Sequence, residues 1–395
     1  MLRYLSCLIL PFALTGTALA QDVATPAQLE RFRANNPDSS RTIDFDAWSE
    51  ILGDIVLRVP PSERRPALGR PIRTGTAIYR GNTTRYRFES NRVIYHLVEE
   101  DYEAAIHEFR VAMEALPSRI DFSDLNSDEQ LAYWLNLYNA TVIEQIAGRY
   151  PESRINRTRA MGSSQSLFEA QILNVDGVPL SLNDIQQRIV FAQWDDPRVM
   201  YGFHNGSIGG PNIRRDAFNG STVWRQLDSN ATDFINSLRG VELSDDSLRV
   251  SQLYETARPL FPDFDTDLRA HLTHYANAST SLQLEGNPPI ETDVVEWHIA
   301  DMTNGVIGCT GGGSPVESMG GQSPNVVNIR TMNCNLVPET GQVLLQHVFE
   351  QRLRFLRENP YGVVQTTDID SPEDRPVINM APSFTRNEPA PQPEG

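Results

Sequence analysis

The sequence predicts a mixed α+β (α/β) domain, a single helix-rich unit with a small sheet around one buried, Asn-containing helix. Three observations predict it. The segment Leu131-Ala132-Tyr133-Trp134-Leu135-Asn136-Leu137-Tyr138-Asn139-Ala140 is apolar on nearly every side of a helical wheel, and a helix apolar all round is a buried helix. Other segments repeat apolar residues at helical spacing, as Phe45, Trp48, Leu52, Ile55 and Val56 do. Asp176-Gly177 separates two short runs, 171–175 and 178–182, in the manner of a tight hairpin turn.

In chain order, residues 1–20 read as a secretory signal. Arg3 supplies the positive start, Leu8 to Leu14 the apolar run, and Ala18-Leu19-Ala20 a small-residue cleavage pattern before Gln21. The expected compartment is therefore extracellular or periplasmic. Residues 21–42 are polar and read as a mobile leader with one short helix. A helix is expected over 43–57, then a Pro/Arg/Gly-rich loop over 59–75. The next helix runs from about Asp101 to Leu116 and ends at Pro117. Ser127 is expected to cap the buried helix, with Gln130 completing a capping box, and Pro151 to stop it. Ser181 should cap a short helix over 182–191. Arg198 to Phe203 reads as a strand entering a glycine-rich turn, His204 to Asn212. Helices are expected over 222–238, 264–276 and 343–357, with one or two short strands within 241–253. The main domain spans 43–305. A C-terminal extension over 306–365 holds a Gly-rich loop and a helix, and 366–395 has the composition of a disordered tail.

The 40% hydrophobic content suffices for a substantial core. The net charge of −17 argues against nucleic-acid or anionic-membrane partners, which need basic faces. No stretch is long and apolar enough to span a membrane, and no cofactor signature is present. Cys7 leaves with the signal. That leaves Cys309 and Cys334, expected to form one bridge in an oxidising compartment, worth roughly 3 kcal/mol in the chain-entropy model.

The blocks AWSEIL, LAYWLNLYNA, VDGVPLSLNDIQQRIV, DPRVMYGFHNGSIGGPNI and VEWHIAD, in that order, resemble the bacterial family called domain of unknown function, number 547, over roughly residues 43–305. The family brings no established activity; the resemblance implies one mixed α and β domain. Its members usually show a Glu-His pair where this chain has Gln186-Gln187. They usually show His at Met200, Cys at Asn205 and a second Cys at Gly210. The retained matches are Trp134, Asn136, Tyr138, Asn139, Ser207 and Pro211. Groups suited to thiol chemistry are thus replaced by side chains that do not titrate near neutral pH.

Several constellations could carry function. Asn136 and Asn139 share one face of the buried helix. A buried amide without partners costs roughly 1–3 kcal/mol, so the pair either ties the helix to neighbouring backbone or borders a site. Ser207, with His204 three residues before it, could be a nucleophile with its base, although Asn205 breaks the G-x-S-x-G pattern. Alternatively, Ser207 and Asn205 bond local backbone, or the turn's amides form an anion nest. Asp267, His271 and His274 share a helix face and are an acceptable zinc set, yet they lack the H-E-x-x-H spacing and read rather as the polar edge of an amphipathic helix, so no metal is expected there. Asp263, Asp265 and Asp267 are no calcium loop, because Leu268 stands at the required Gly. Glu296, Trp297, His298 and Asp301 form a polar-aromatic cluster that could pack on the Asn helix. The expected function is an exported, non-catalytic binding or scaffold protein with a small-molecule or protein partner. The binding residues would be Asn136, Asn139, Asn205 and Ser207. The alternative is a hydrolase using Ser207 or a histidine-centred site.

Overall fold

The computed structural model describes residues 23–68, 82–244, 246–303, 339–358 and 377–379. The signal segment and both Cys309 and Cys334 lie outside them. In chain order the elements are α1 Pro26–Glu30, β1 Thr42–Asp44, α2 Asp46–Ile55, β2 Val56–Leu57, β3 Arg92–Val93, α3 Glu100–Arg119, α4 Ser127–Ala147, β4 Leu173–Val175 and β5 Val178–Leu180. A wide π-type turn, Asp184–Val190, runs into α5 Phe191–Gln193, and a 3-10 turn covers Pro197–Gly202. Then come α6 Val223–Ile235, β6 Val241–Leu243, β7 Leu248–Ser251, α7 Leu253–Thr256, α8 Phe264–Tyr275, α9 Ala278–Leu284, β8 Ile290–Val294, α10 Glu339–Glu358 and β9 Val377–Asn379. Small sheets of two or three strands set among helices make this the mixed α+β fold the sequence predicts. No helix among the described residues is long and apolar enough to cross a membrane.

The core is built on α4, buried from Glu129 to Ala147. It packs on α3, on α6, on β1 and on the π-type turn. The Trp134 ring meets Phe32 at 5.2 Å, Tyr133 at 4.9 Å and Phe122 at 5.8 Å, all near edge-to-face. Such pairs contribute about 0.5–1.5 kcal/mol beyond the area they bury. Phe32 belongs to the segment expected as a mobile leader. Here Ala24, Leu29 and Phe32 are buried, and Arg188 donates to the Ala24 carbonyl at 2.6 Å.

The cap of α4 differs from expectation by one residue. Asn126 Oδ1 accepts from the Glu129 amide at 2.9 Å, the same geometry one position earlier. Ser127 Oγ instead accepts from Trp194 Nε1 at 2.9 Å. The end of α3 also differs, since the helix runs through Pro117 to Arg119. Proline has no N–H for the carbonyl four residues back, and the Tyr133 hydroxyl donates to that Met113 carbonyl at 2.9 Å.

The hairpin forms as predicted, with Val175 opposite Val178 and positive φ of 48° at Asp176 and 78° at Gly177, as a type I′ turn requires. Ser181 and Asp184 then cap each other: Ser181 N donates to Asp184 Oδ2 at 2.9 Å, and the Asp184 amide donates to Ser181 Oγ at 3.1 Å. Residues 198–202 belong to a 3-10 turn, Pro197–Gly202, and not to a strand. Pro197 sits at its first position, and Asp196 accepts from the Arg198 amide at 2.9 Å. Val199, Met200, Tyr201 and Gly202 are all buried, so burial does not alternate as in a half-exposed strand.

β7 pairs antiparallel with β6 and parallel with β8. In the extension, α10 is anchored by Arg354, which donates to both Glu63 carboxylate oxygens at 2.5 Å, and by His347, stacked on Phe88 at 4.1 Å. β9 pairs parallel with β1, a strand within the span whose composition suggests disorder.

Candidate functional site

The glycine-rich turn is stitched to the segment 294–300. The Ile208 amide donates to the His298 carbonyl at 2.8 Å, the Gly209 amide to the Glu296 carbonyl at 3.0 Å, and the Ala300 amide to the Gly206 carbonyl at 2.8 Å. Two glycines are demanded here. Gly206 has a positive φ of 79°, and a Cβ on it would stand 2.6 Å from Ile146 Cδ1. A Cβ on Gly209 would stand 2.6 Å from the Glu296 carbonyl oxygen. Four consecutive amides of the turn, 207–210, are already engaged. Those of Ile208 and Gly209 are taken as above, Gly210 donates to the Ser207 carbonyl, and the Ser207 amide donates to Asn205 Oδ1 at 3.0 Å.

Beside this turn lies a cleft of about 320 Å³, at the lower end of the roughly 300–1,000 Å³ usual for small-ligand sites. One wall comes from Tyr138 of α4 and from Gln186 and Gln187 of the π-type turn. Asn205 and Ser207 of the glycine-rich turn form the second. Residues 251–256 and 294–297 close it, Trp297 among them. The hairpin and the Ser181–Asp184 cap place the two glutamines, and the tie between the turn and 294–300 places Trp297.

Asn136 and Asn139 do not line this cleft. Asn136 Nδ2 donates to the Phe218 carbonyl at 2.8 Å and its Oδ1 accepts from the Phe218 amide at 2.9 Å. Asn139 Nδ2 donates to the Gly202 carbonyl at 2.9 Å and its Oδ1 accepts from the His204 amide at 2.9 Å. Each amide thus imitates a backbone partner, and together they clamp the chain on either side of the glycine-rich turn.

Ser207 and His204 are three residues apart in the chain but not joined by a hydrogen bond. Ser207 Oγ donates to Asn205 Oδ1 at 2.8 Å. His204 Nδ1 lies 3.0 Å from the Pro211 carbonyl; a carbonyl only accepts, so that nitrogen carries the proton. His204 is buried, its Nε2 has no hydrogen-bond partner among the described residues, and burial pushes its pKa down to about 4.

His298 Nδ1 bonds Glu296 Oε1 at 2.6 Å. Burial pushes the Glu296 carboxyl up, but hydrogen bonds from the His298 ring and amide outweigh it and hold the group below the ordinary carboxylate range. The His298 ring does not line the cleft.

The helical Asp267, His271 and His274 are each engaged separately. Asp267 accepts from the Asp263 amide at 2.8 Å. His271 Nε2 meets the Tyr201 hydroxyl at 3.0 Å, its pKa pushed to about 4 by burial. His274 packs edge-on against Tyr275 at 4.7 Å. The described residues hold no group of three or more metal-ligating side chains.

A second cavity, about 280 Å³, lies between residues 59–68 and α10. Two of its charged groups are tied into the surrounding structure: Glu89 accepts from Ser62 at 2.8 Å, and Arg239 donates to the Ile208 carbonyl at 3.2 Å and to Asn212 Oδ1 at 2.9 Å.

Residues 122–235 match the family described as Protein of unknown function, DUF547. No curated protein and no solved structure matches the chain. The DUF547 segment is narrower than the 43–305 over which the motifs resemble the family. It ends with α6, so the cleft wall from 251–256 and 294–297 lies outside it. Three positions where the resemblance implies Glu, His and Cys, at Gln186, Gln187 and Asn205, line the cleft; Met200 is buried in the core instead. Position 210, where a second Cys is implied, is next to Asn205: a Cβ on Gly210 would overlap the Asn205 side-chain oxygen. Sequence reasoning singled out Gln186 and Gln187 only as departures from the family. It passed over Tyr138 as a cleft residue, and Gln252 entirely. The helical offset of Gln186 from the hairpin was a usable signal; nothing in the sequence marks Gln252.

Proposed function

We propose that the protein is an exported binding protein whose ligand occupies the cleft beside the glycine-rich turn, and that it does not use Ser207 as a nucleophile. The observation that carries this is the fate of the two groups a serine hydrolase would need. A base must come within about 3 Å of the nucleophile. Ser207 gives its proton to an amide oxygen at 2.8 Å, and His204 is turned onto Pro211. The described residues lining the cleft include no histidine or cysteine. Export rests on Arg3, the apolar run and the Ala18-Leu19-Ala20 pattern.

Protein isolated from the native host should begin near Gln21. Assayed against ester, peptide and glycoside substrates, it should show no turnover above background. Turnover abolished by Ser207→Ala or His204→Ala would refute the non-catalytic reading and establish the hydrolase. An intact Met1 on mature protein would refute export.

A further inference from the structure

We infer that the cleft's ligand is a neutral saccharide, a conclusion that rests on the binding reading above and adds the chemical class. Three features of the site carry it. The first is charge. The described residues lining the cleft include no arginine, lysine or histidine, so a carboxylate or phosphate ligand finds none of the charge-assisted partners it needs. The chain's −17 charge repels anions further. Of the two carboxylates at the cleft, Glu296 is already held by His298 and Glu169 is exposed, so no buried anion awaits a cationic ligand.

The second is the hydrogen-bonding inventory. Asn183, Gln186, Gln187 and Gln252 all line the cleft, and Gln186 is buried. The buried amides of Asn136 and Asn139 are engaged by backbone partners on both their nitrogen and their oxygen. At the cleft, Gln186 is buried, Asn183 half-buried and Gln187 and Gln252 exposed; their side chains form no hydrogen bond to another described residue, and each offers donors and an acceptor to a ligand. A hydroxyl also donates and accepts, and a saccharide presents hydroxyls at high density. Trp297 and Phe168 are half-buried at the same cleft and give ring surface for the apolar face of a pyranose.

The third feature separates a saccharide from a neutral peptide. An extended peptide is captured by adding to an open strand edge. Along the wall at 294–298 the carbonyls of Val294, Glu296, Trp297 and His298 already accept from Gln252, Gly209, Ile155 and Ile208. Four of the five carbonyls along 294–298 are therefore taken, which leaves an extended peptide no run of free acceptors to pair with on this wall.

The test is calorimetric titration of the full mature protein, with tryptophan fluorescence read in parallel. The probes are neutral gluco-, manno- and N-acetylglucosamine oligosaccharides, an oligogalacturonate and an uncharged Gly-Ser peptide. At least one neutral oligosaccharide should bind saturably. Gln186→Leu and Trp297→Ala should each weaken it about tenfold or more, with circular dichroism and thermal midpoint preserved for at least Trp297→Ala. The oligogalacturonate and the peptide should not bind. Binding of the peptide or the acidic sugar alone, sensitive to Trp297→Ala, overturns the saccharide and leaves the cleft a binding site. Neutral-sugar binding indifferent to both substitutions overturns the placement. Silence from every probe overturns this inference and counts against the binding reading as well.

Discussion

At the scale of single residues, the cleft side of the glycine-rich turn is governed by who fills a very small space. Asn205 accepts both the amide and the hydroxyl of Ser207, and to do so it lies where a Cβ on residue 210 would project. The pairing of Asn at 205 with Gly at 210 is therefore one steric solution, not two independent changes. Gly210→Ala should cost about 1–3 kcal/mol, the usual price of overfilling a packed site. In an Asn205→Ala background, where the space is vacated, the same substitution should cost much less. Urea titration of the four proteins in a double-mutant cycle reads this directly. Equal costs in both backgrounds would show that the two positions do not compete.

At the scale of elements, the junction of α3 and α4 shows a tertiary contact overriding a local stop signal. Pro117 leaves the Met113 carbonyl without its helical donor, and the Tyr133 hydroxyl supplies one. Removing one partner from a buried hydrogen bond leaves the other unsatisfied, at about 1–3 kcal/mol. Tyr133→Phe should destabilise by about that much in the native chain. In Pro117→Ala, the amide restored at position 117 can take the Met113 carbonyl, and the loss from Tyr133→Phe should shrink. Denaturation midpoints at constant m-value test it, and an undiminished loss would mean that the hydroxyl does not replace the helical bond. The same logic explains why the end of α3 and the segment 198–203 were misread. Helix stops and strand alternation are local signals, and both are overruled where a neighbour supplies the missing donor or burial closes in from all sides. The hairpin at Asp176-Gly177, β6 and β7 and the helix over 264–275 were legible because their turns and apolar periods are satisfied within their own residues.

At the scale of the whole molecule, one fully buried histidine, His204, and one half-buried one, His271, make stability depend on pH. His204 and His271 have pKa values near 4 because burial disfavours the charged ring, against 6.5 for the free side chain. As pH falls through 6.5 the unfolded chain takes up these protons, while the folded chain does not until about 4. The unfolded state thus binds more protons in that window. The stability these rings contribute is complete above 6.5 and drains as pH falls toward 4, at up to roughly 1.4 kcal/mol per pH unit for each ring. Urea unfolding at pH 7.0 and pH 5.5 should show the loss, ahead of most carboxylate titration. His271→Gln should flatten the dependence, and an unchanged slope in that variant would place the effect elsewhere.

The sequence by itself determined the fold class, the buried α4, the hairpin, most helix positions and the two asparagines as groups that must find partners. Each is set by periodicity, turn chemistry or the cost of a lone buried amide, quantities contained in a short stretch of chain. Only the tertiary structure decided what those amides hold: the backbone at Phe218, Gly202 and His204, and not a ligand. It alone assembled the cleft from α4, the π-type turn, the glycine-rich turn and residues 251–256 and 294–297, and it alone turned His204 away from Ser207. Segments a hundred residues apart become neighbours through packing, and no spacing along the chain encodes which side chains packing will leave without a partner.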